Sequence, residues 1–253
     1  MAKISARSWD NYIKRLRKLS DKAADATKNY INTHDLDSPV AMQEFIDYAY
    51  ALATKYGEGS ATLACEMYEA MAELSGVVVP PAIPAETAEY SEVAKSIYGT
   101  RLQSEEVTSG AIGRLVKMAS VDTMMQNALR DGAEWAWIPR GDTCAFCLTL
   151  ASRGWQKASK NAIKNGHAEH VHANCDCTYA VRFNQNVNVE GYEPEEYLDM
   201  YYDADGNTPT QKINALRREF YAKNKETINA QKRSAYAKRI ERESSRAEEI
   251  NVD

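Results

Sequence analysis

Apolar residues recur at three- and four-residue spacing through most of the first half of the chain. That repeat places them on one side of a helix. Residues 8–31 show it in Trp9, Tyr12, Ile13, Leu16, Leu19 and Ala23, with Lys and Arg between them. Ser38 followed by Pro39 has the form of an N-cap and a first helical residue, because the hydroxyl accepts an orphan backbone N–H and proline offers none. The helix it opens carries Phe45, Ile46, Ala49, Leu52, Ala53 and Tyr56, and Gly57 with Gly59 predicts a break after it. A third helix holds Leu63, Ala64, Met67, Tyr68, Met71 and Leu74, and stops at Gly76. Cys65 lies on its apolar face and reads as a buried, inert thiol. The proline-rich stretch 77–85 predicts extended chain. Two more helices are expected near 86–98 and 105–131, the second carrying Val107, Ile112, Leu115, Val116, Ala119 and Leu129, with Gly132 just past its end.

The period changes at Glu134. From there to Pro139 the chain alternates as a short strand, and Thr178 to Phe183 alternates again through Tyr179, Val181 and Phe183. The two are expected to pair antiparallel. Between them lie a Cys-bearing turn and an expected helix over 155–165, ended by Gly166. Residues 184–211 hold seven acidic side chains and no Lys or Arg, and read as an acidic loop. Residues 211–250 hold eleven basic and six acidic side chains on a helical pattern whose apolar stripe fades after Phe220 and Tyr221. The expected fold is mainly α, of α+β kind. It has an N-terminal helical region (1–104), a small Cys/His-clamped α+β module (105–185), and an acidic loop with a long basic C-terminal helix (186–253).

Composition narrows the function classes. The formal net charge of −5 lacks the global basic signature of a nucleic-acid binder. No apolar run approaches the roughly 20 residues of a membrane-spanning helix. The charged start from Lys3 has no apolar segment of the secretory kind, so folding in a reducing cytoplasm is expected, where clustered cysteines more often bind metal than pair. Fifteen Tyr against four Phe suits half-wet contact surfaces.

The chemistry concentrates in one stretch. Four of five Cys and three of four His fall between 144 and 177. The pattern is Cys144-x-x-Cys147, then His172-x-x-Cys175-x-Cys177, with His167 and His170 upstream. Two such pairs facing each other complete a tetrahedral S/N site of the structural zinc kind. The preferred set is Cys144, Cys147, His172 and Cys175, with Cys177 as the alternative to Cys175. A metal-free cluster, reduced or disulfide-bonded, is the other reading. A bound Zn²⁺ would cross-link two distant segments of a module with only two short strands. The order of motifs is wrong for a zinc deaminase, in which His-x-Glu precedes the Cys pair. Cys144 and Cys147 lack the βαβ context of a thioredoxin-like site. A His/Cys metal nuclease built on His170, His172 and Asn174, and a stand-alone zinc module binding DNA or protein, are the alternative functions.

The run Trp137-Ile-Pro-Arg-Gly-Asp-Thr-Cys-Ala-Phe-Cys147, followed by His172-Ala-Asn-Cys-Asp-Cys177, resembles the MuF-like minor capsid proteins of phage head morphogenesis. Asp142, Cys144, Cys147, His172, Asn174, Cys175 and Cys177 match the pattern. Val171 and Ala173 stand where the family often has proline. The resemblance covers about residues 105–185. It implies a non-enzymatic structural protein of the virion, inside the head of a tailed phage. It would be present in few copies, in contact with the portal or major capsid protein, and would assist head assembly, DNA packaging or delivery. With that role, the basic C-terminal helix and the basic side of the first helix (Lys14, Arg15, Arg17, Lys18) would meet packaged double-stranded DNA or an acidic protein surface.

Overall fold

The computed structural model describes residues 2–140, 144–159 and 177–250. The chain is mainly helical with a small sheet region. A short strand β1 (Ala2–Ile4) leads into α1 (Ala6–Thr33), α2 (Pro39–Leu74), α3 (Tyr90–Thr100) and α4 (Glu105–Asp131). Then come β2 (Glu134–Ile138), α5 (Ala145–Ala151), β3 (Gln156–Lys157), β4 (Thr178–Arg182), β5 (Val187–Val189), α6 (Pro194–Asp203) and α7 (Pro209–Ile250).

Local chemistry sets several element ends as expected. Ser38 Oγ accepts the Ala41 N–H at 3.0 Å, with Pro39 at the first helical position of α2. Gly132 closes α4 at φ 65°, a left-handed conformation that a residue with a Cβ resists. At α1, Ser5 Oγ accepts the Ser8 N–H and Glu190 Oε2 accepts the Ala6 N–H, so two donors at this helix end are satisfied, one of them by a residue just past β5. β1 and β5 pair in parallel, Ala2 to Val187 and Ile4 to Val189.

The expected break at Gly57 and Gly59 does not occur; α2 runs unbroken through both. The glycines serve close approach. A Cβ at Gly57 would stand 2.9 Å from Thr87 Cγ2, and one at Gly59 would stand 3.2 Å from Leu19 Cδ1. Residues 77–89 form the segment that crosses there, extended as predicted and laid along α4. Its prolines cannot donate, the Ala82 N–H donates to Glu69 of α2, and several other polar groups find partners on one side of α4. Asn127 accepts the Ile83 N–H and donates back to the Ile83 carbonyl, Thr123 Oγ1 accepts the Ala85 N–H, and Arg130 donates to the carbonyls of Pro80 and Pro81. Positions 123, 127 and 130 share a helix face, so α4 holds this strap as a sheet edge would hold a strand.

α4 occupies the centre. It packs against α1, α2, α3, β2 and β4. Small residues permit this: a Cβ at Gly113 would lie 3.1 Å from the Ser20 carbonyl oxygen of α1. One buried cluster joins Trp9, Tyr12, Tyr68 and Met124 of the helices to Trp135, Trp137 and Tyr179 of the sheet; a second surrounds Phe45, Ile46, Val93, Ile97 and Val116.

The second sheet has the order β3-β2-β4, antiparallel throughout, with Trp135 opposite Val181 and Ile138 opposite Thr178. The predicted pairing of β2 with β4 is therefore present. The expected one-sided alternation is not. Trp135 to Ile138 and Thr178 to Val181 are all buried, because helices cover both faces.

Three further expectations are corrected. Residues 156–157 form β3 rather than the start of a helix, since Gln156 and Lys157 complete the edge of the ladder opposite Trp135 and Glu134. The part of that helix over 160–165 lies outside the described residues, as does Gly166. The acidic stretch contains β5 and α6, which starts at Pro194 with Glu195 and Glu196 in its first turn, where carboxylates suit the positive end of the helix. Cys65 is half-buried rather than buried; desolvation together with nearby Glu69 raises its thiol pKa, which keeps it protonated and unreactive.

Candidate functional site

Pairing in the sheet decides where the cysteines go. β2 ends at Ile138 opposite Thr178, so Cys177 enters β4 beside the segment leaving β2. There Cys177 Sγ accepts the Arg140 backbone N–H at 3.4 Å, and the side chain is packed into the main core. The Cys144-x-x-Cys147 pair returns from the same end of the ladder. It does not lie on a tight turn as the spacing suggested. Cys144 is the N-cap of α5 and Cys147 lies in its first turn, with the Leu148 N–H bonded to the Cys144 carbonyl at 2.9 Å. A spacing of three residues on a helix puts both side chains on one side. Cys147 is buried and Cys144 half-buried.

α5 takes this form because Ala145, Leu148 and Ala151 supply an apolar stripe. Ala145 and Leu148 pack against Ala204 of the α6–α7 corner and against Ala215 and Leu216 of α7. Cys147, Leu150 and Ala151 face the main core instead. α5 is thus wedged between the sheet and the C-terminal elements.

Among the described residues, no three of His, Cys, Asp and Glu form a group able to hold a metal. Cys144, Cys147 and Cys177 do not do so by themselves. Asp142, His167, His170, His172, Asn174 and Cys175 lie outside the described residues.

Beneath the ladder, Tyr179 sits between two tryptophans. Its ring meets Trp135 and Trp137 edge-on, each at 4.7 Å between centroids. The hydroxyl of Tyr179 and Nε1 of Trp137 are buried with no hydrogen-bond partner among the described residues. Burial raises the Tyr179 pKa, which keeps the phenol neutral. At the edge, Arg182 Nε donates to Glu134 Oε2 at 2.7 Å while its guanidinium stacks over Trp155 at 4.6 Å.

A cavity of about 460 Å³ opens near Cys177, lined by Trp9, Asp10, Arg140, Glu190, Tyr192 and Tyr197 among others. Arg140 and Asp10 form an ion pair across it.

Asp122, on α4, was not singled out by sequence reasoning. It is half-buried, and its pKa is raised to about 6, first by desolvation and then by Glu92. Nine residues along the same helix, Asp131 is held below the usual carboxylate range by its hydrogen bond from Arg130; the Tyr68 hydroxyl also donates to it. A lone Asp inside an amphipathic pattern carries no local signal of such a difference, because neighbours on other elements create it.

A family model described as VG15 protein matches residues 3–204. The match runs from β1 to the end of α6 and stops before α7. A curated relative, "Gene 15 protein" of Mycobacterium phage D29, is 30% identical over 123 residues, which cover 38% of this chain and 44% of that protein. The chain therefore spans less than half the length of this relative. No solved structure matches.

Proposed function

The chain belongs to the VG15 protein family, and from that premise we propose that it is a non-enzymatic minor capsid protein of a tailed phage, built into the inner head next to the portal or the major capsid protein. The family match across residues 3–204 carries the reading, supported by the mycobacteriophage relative. The motif linking Asp142, Cys144 and Cys147 to His172, Asn174 and Cys175 supports the finer assignment to MuF-like head morphogenesis proteins. A buried aromatic sheet locked to a helical body suits a part that must keep its shape under assembly forces.

The donor chemistry fits a structural Zn²⁺ held by Cys144, Cys147, His172 and Cys175. Two thiols one helical turn apart on α5 supply half of a tetrahedral set. Cys177 is the weaker fourth ligand, since its sulfur already accepts the Arg140 N–H and is packed in the core. When bound, the ion would tether the segment holding His172 and Cys175 to the start of α5.

The deciding experiment is proteomic analysis of purified particles, with cross-linking to neighbouring subunits. The chain should be present at low copy number and cross-linked to portal or capsid protein. Its absence from particles sinks the proposal. Elemental analysis of the purified chain tests the clamp. One zinc per chain is expected, lost in Cys144→Ser, Cys147→Ser, His172→Ala and Cys175→Ser and retained in Cys177→Ser. Retention in Cys175→Ser with loss in Cys177→Ser reverses the choice of fourth ligand.

A further inference from the structure

α7 carries a charge pattern that its contacts with the body do not use. Among its described side chains, the buried ones lie at its beginning. Ala215 and Leu216 are buried against α5 and Ala204, and Lys212 Nζ donates to the Ala204 carbonyl at 2.8 Å. Farther along, Arg217, Arg218, Lys223, Lys225 and Arg233 are exposed.

Within this helix a basic residue returns at every seventh position: Arg218, Lys225, Lys232, Arg239 and Arg246. Seven residues are nearly two helical turns, so the register of these positions drifts by only about 20° per step. They form one line, and position 242, also Arg, falls beside it. Four of the six acidic positions (Glu219, Glu226, Glu241 and Glu248) fall on the other side of the helix; Glu243 and Glu249 do not. Among the described residues, neither Arg218 nor Lys225 forms an ion pair. The family match ends at residue 204, so this helix is not what the family model recognises.

We propose that this line of basic positions on α7 is a phosphate-binding face for duplex DNA, one that holds the duplex without reading its sequence. The inference deepens the virion reading, since a head protein meets packaged duplex. The charge pattern itself does not depend on that reading. A partner helix is a poorer occupant, because docking between helices needs apolar residues at both a and d positions, and beside the basic line positions 221, 228 and 235 (Tyr, Ile and Ala) supply only one of the two rows. A polyanion needs only regular positive charge. The line spans about 42 Å, a length over which duplex DNA carries roughly 25 phosphate charges. Each contact releases counterions, so the binding is sensitive to salt.

The test uses the full-length chain and fluorescence anisotropy with two unrelated duplexes of about 30 base pairs, over roughly 50–200 mM salt. Two charge-matched pairs are compared: Arg218→Gln with Lys225→Gln on the line, and Lys223→Gln with Arg233→Gln off it. All four side chains are exposed, and circular dichroism checks that the helix is retained. The on-line pair should weaken binding about tenfold or more and flatten the log–log salt slope by roughly two, while the off-line pair stays within about twofold of wild type. Equal loss from both pairs, no binding at low salt, or a strong preference between the duplexes overturns the proposal. A chain found in particles that fails to bind DNA refutes this inference alone. A chain that binds DNA but is missing from particles refutes the capsid reading alone.

Discussion

α4 and α7 are both long helices of one chain, 27 and 42 residues, and they are stabilised in different ways. α4 is buried along most of its length by helices, strap and sheet, and its sequence is rich in Ser, Thr, Ala and Gly that let neighbours come close. Alone it would be a poor helix; packing makes it one. α7 is polar, rich in Lys, Arg, Glu and Ala, and among its described side chains the buried ones lie near its start. Its helicity rests on residue propensity. Helix length is therefore no guide to role, whereas the distribution of small and charged residues is.

The comparison is broken most forcefully by a cavity in α4. Met124→Ala, at a fully buried position, should cost about 2–5 kcal/mol in a denaturant titration. Ile240→Ala on α7 should change stability by less than about 0.5 kcal/mol, because that side chain is already exposed. Similar losses at both sites would mean that α7 is packed against something in solution.

The two carboxylates of α4 sharpen it next. The raised pKa of Asp122 means that the folded chain holds its proton after the unfolded chain has released its own. Stability from this group is therefore full below about pH 4 and is lost as pH rises through about 6. Asp122→Asn should raise stability at pH 7 by about 1–3 kcal/mol and flatten the pH dependence across that window. Asp131 has the opposite sign. Its depressed pKa contributes stability above the unfolded carboxylate range, and that contribution is lost on acidification. Thermal melts of Asp122→Asn and Asp131→Asn across pH should diverge accordingly; parallel curves would refute the assignment.

Smaller effects are expected along the strap. Asn127→Ala removes both hydrogen bonds to Ile83 and should cost about 1–2 kcal/mol, with faster amide exchange at Ile83 and Ala85. Gly57→Ala adds a methyl 2.9 Å from Thr87 Cγ2 and should destabilise by about 1 kcal/mol, where the same change in an open helix would stabilise. A Gly57→Ala protein more stable than wild type would show that the crossing has room to give.

Several elements were legible because their signals are local. Ser38-Pro39, Gly132 and the alternation in Glu134–Ile138 and Thr178–Arg182 each state a backbone preference within a few residues, and the antiparallel pairing of the two strands followed. Other elements depend on distant partners. Gly57 looked like a breaker because the sequence does not show Thr87 lying across it. The β1–β5 pair joins residues about 185 positions apart, and no local pattern announces that. The cysteine cluster was legible as a motif, and its placement was not. Spacing suggested a turn, but apolar contacts from α7 and the sheet make residues 145–151 a helix, and the β2–β4 register leads Cys177 into the core.

By itself, then, the sequence determined the helical class, the principal strands, the spacing of the Cys/His motif, and the heptad spacing of charge on α7. Only the tertiary structure decided which glycines are crossings, which carboxylate is desolvated and which cysteine is drawn into the core. Those properties depend on what lies a few ångströms away in space, and neighbours along the chain do not supply that.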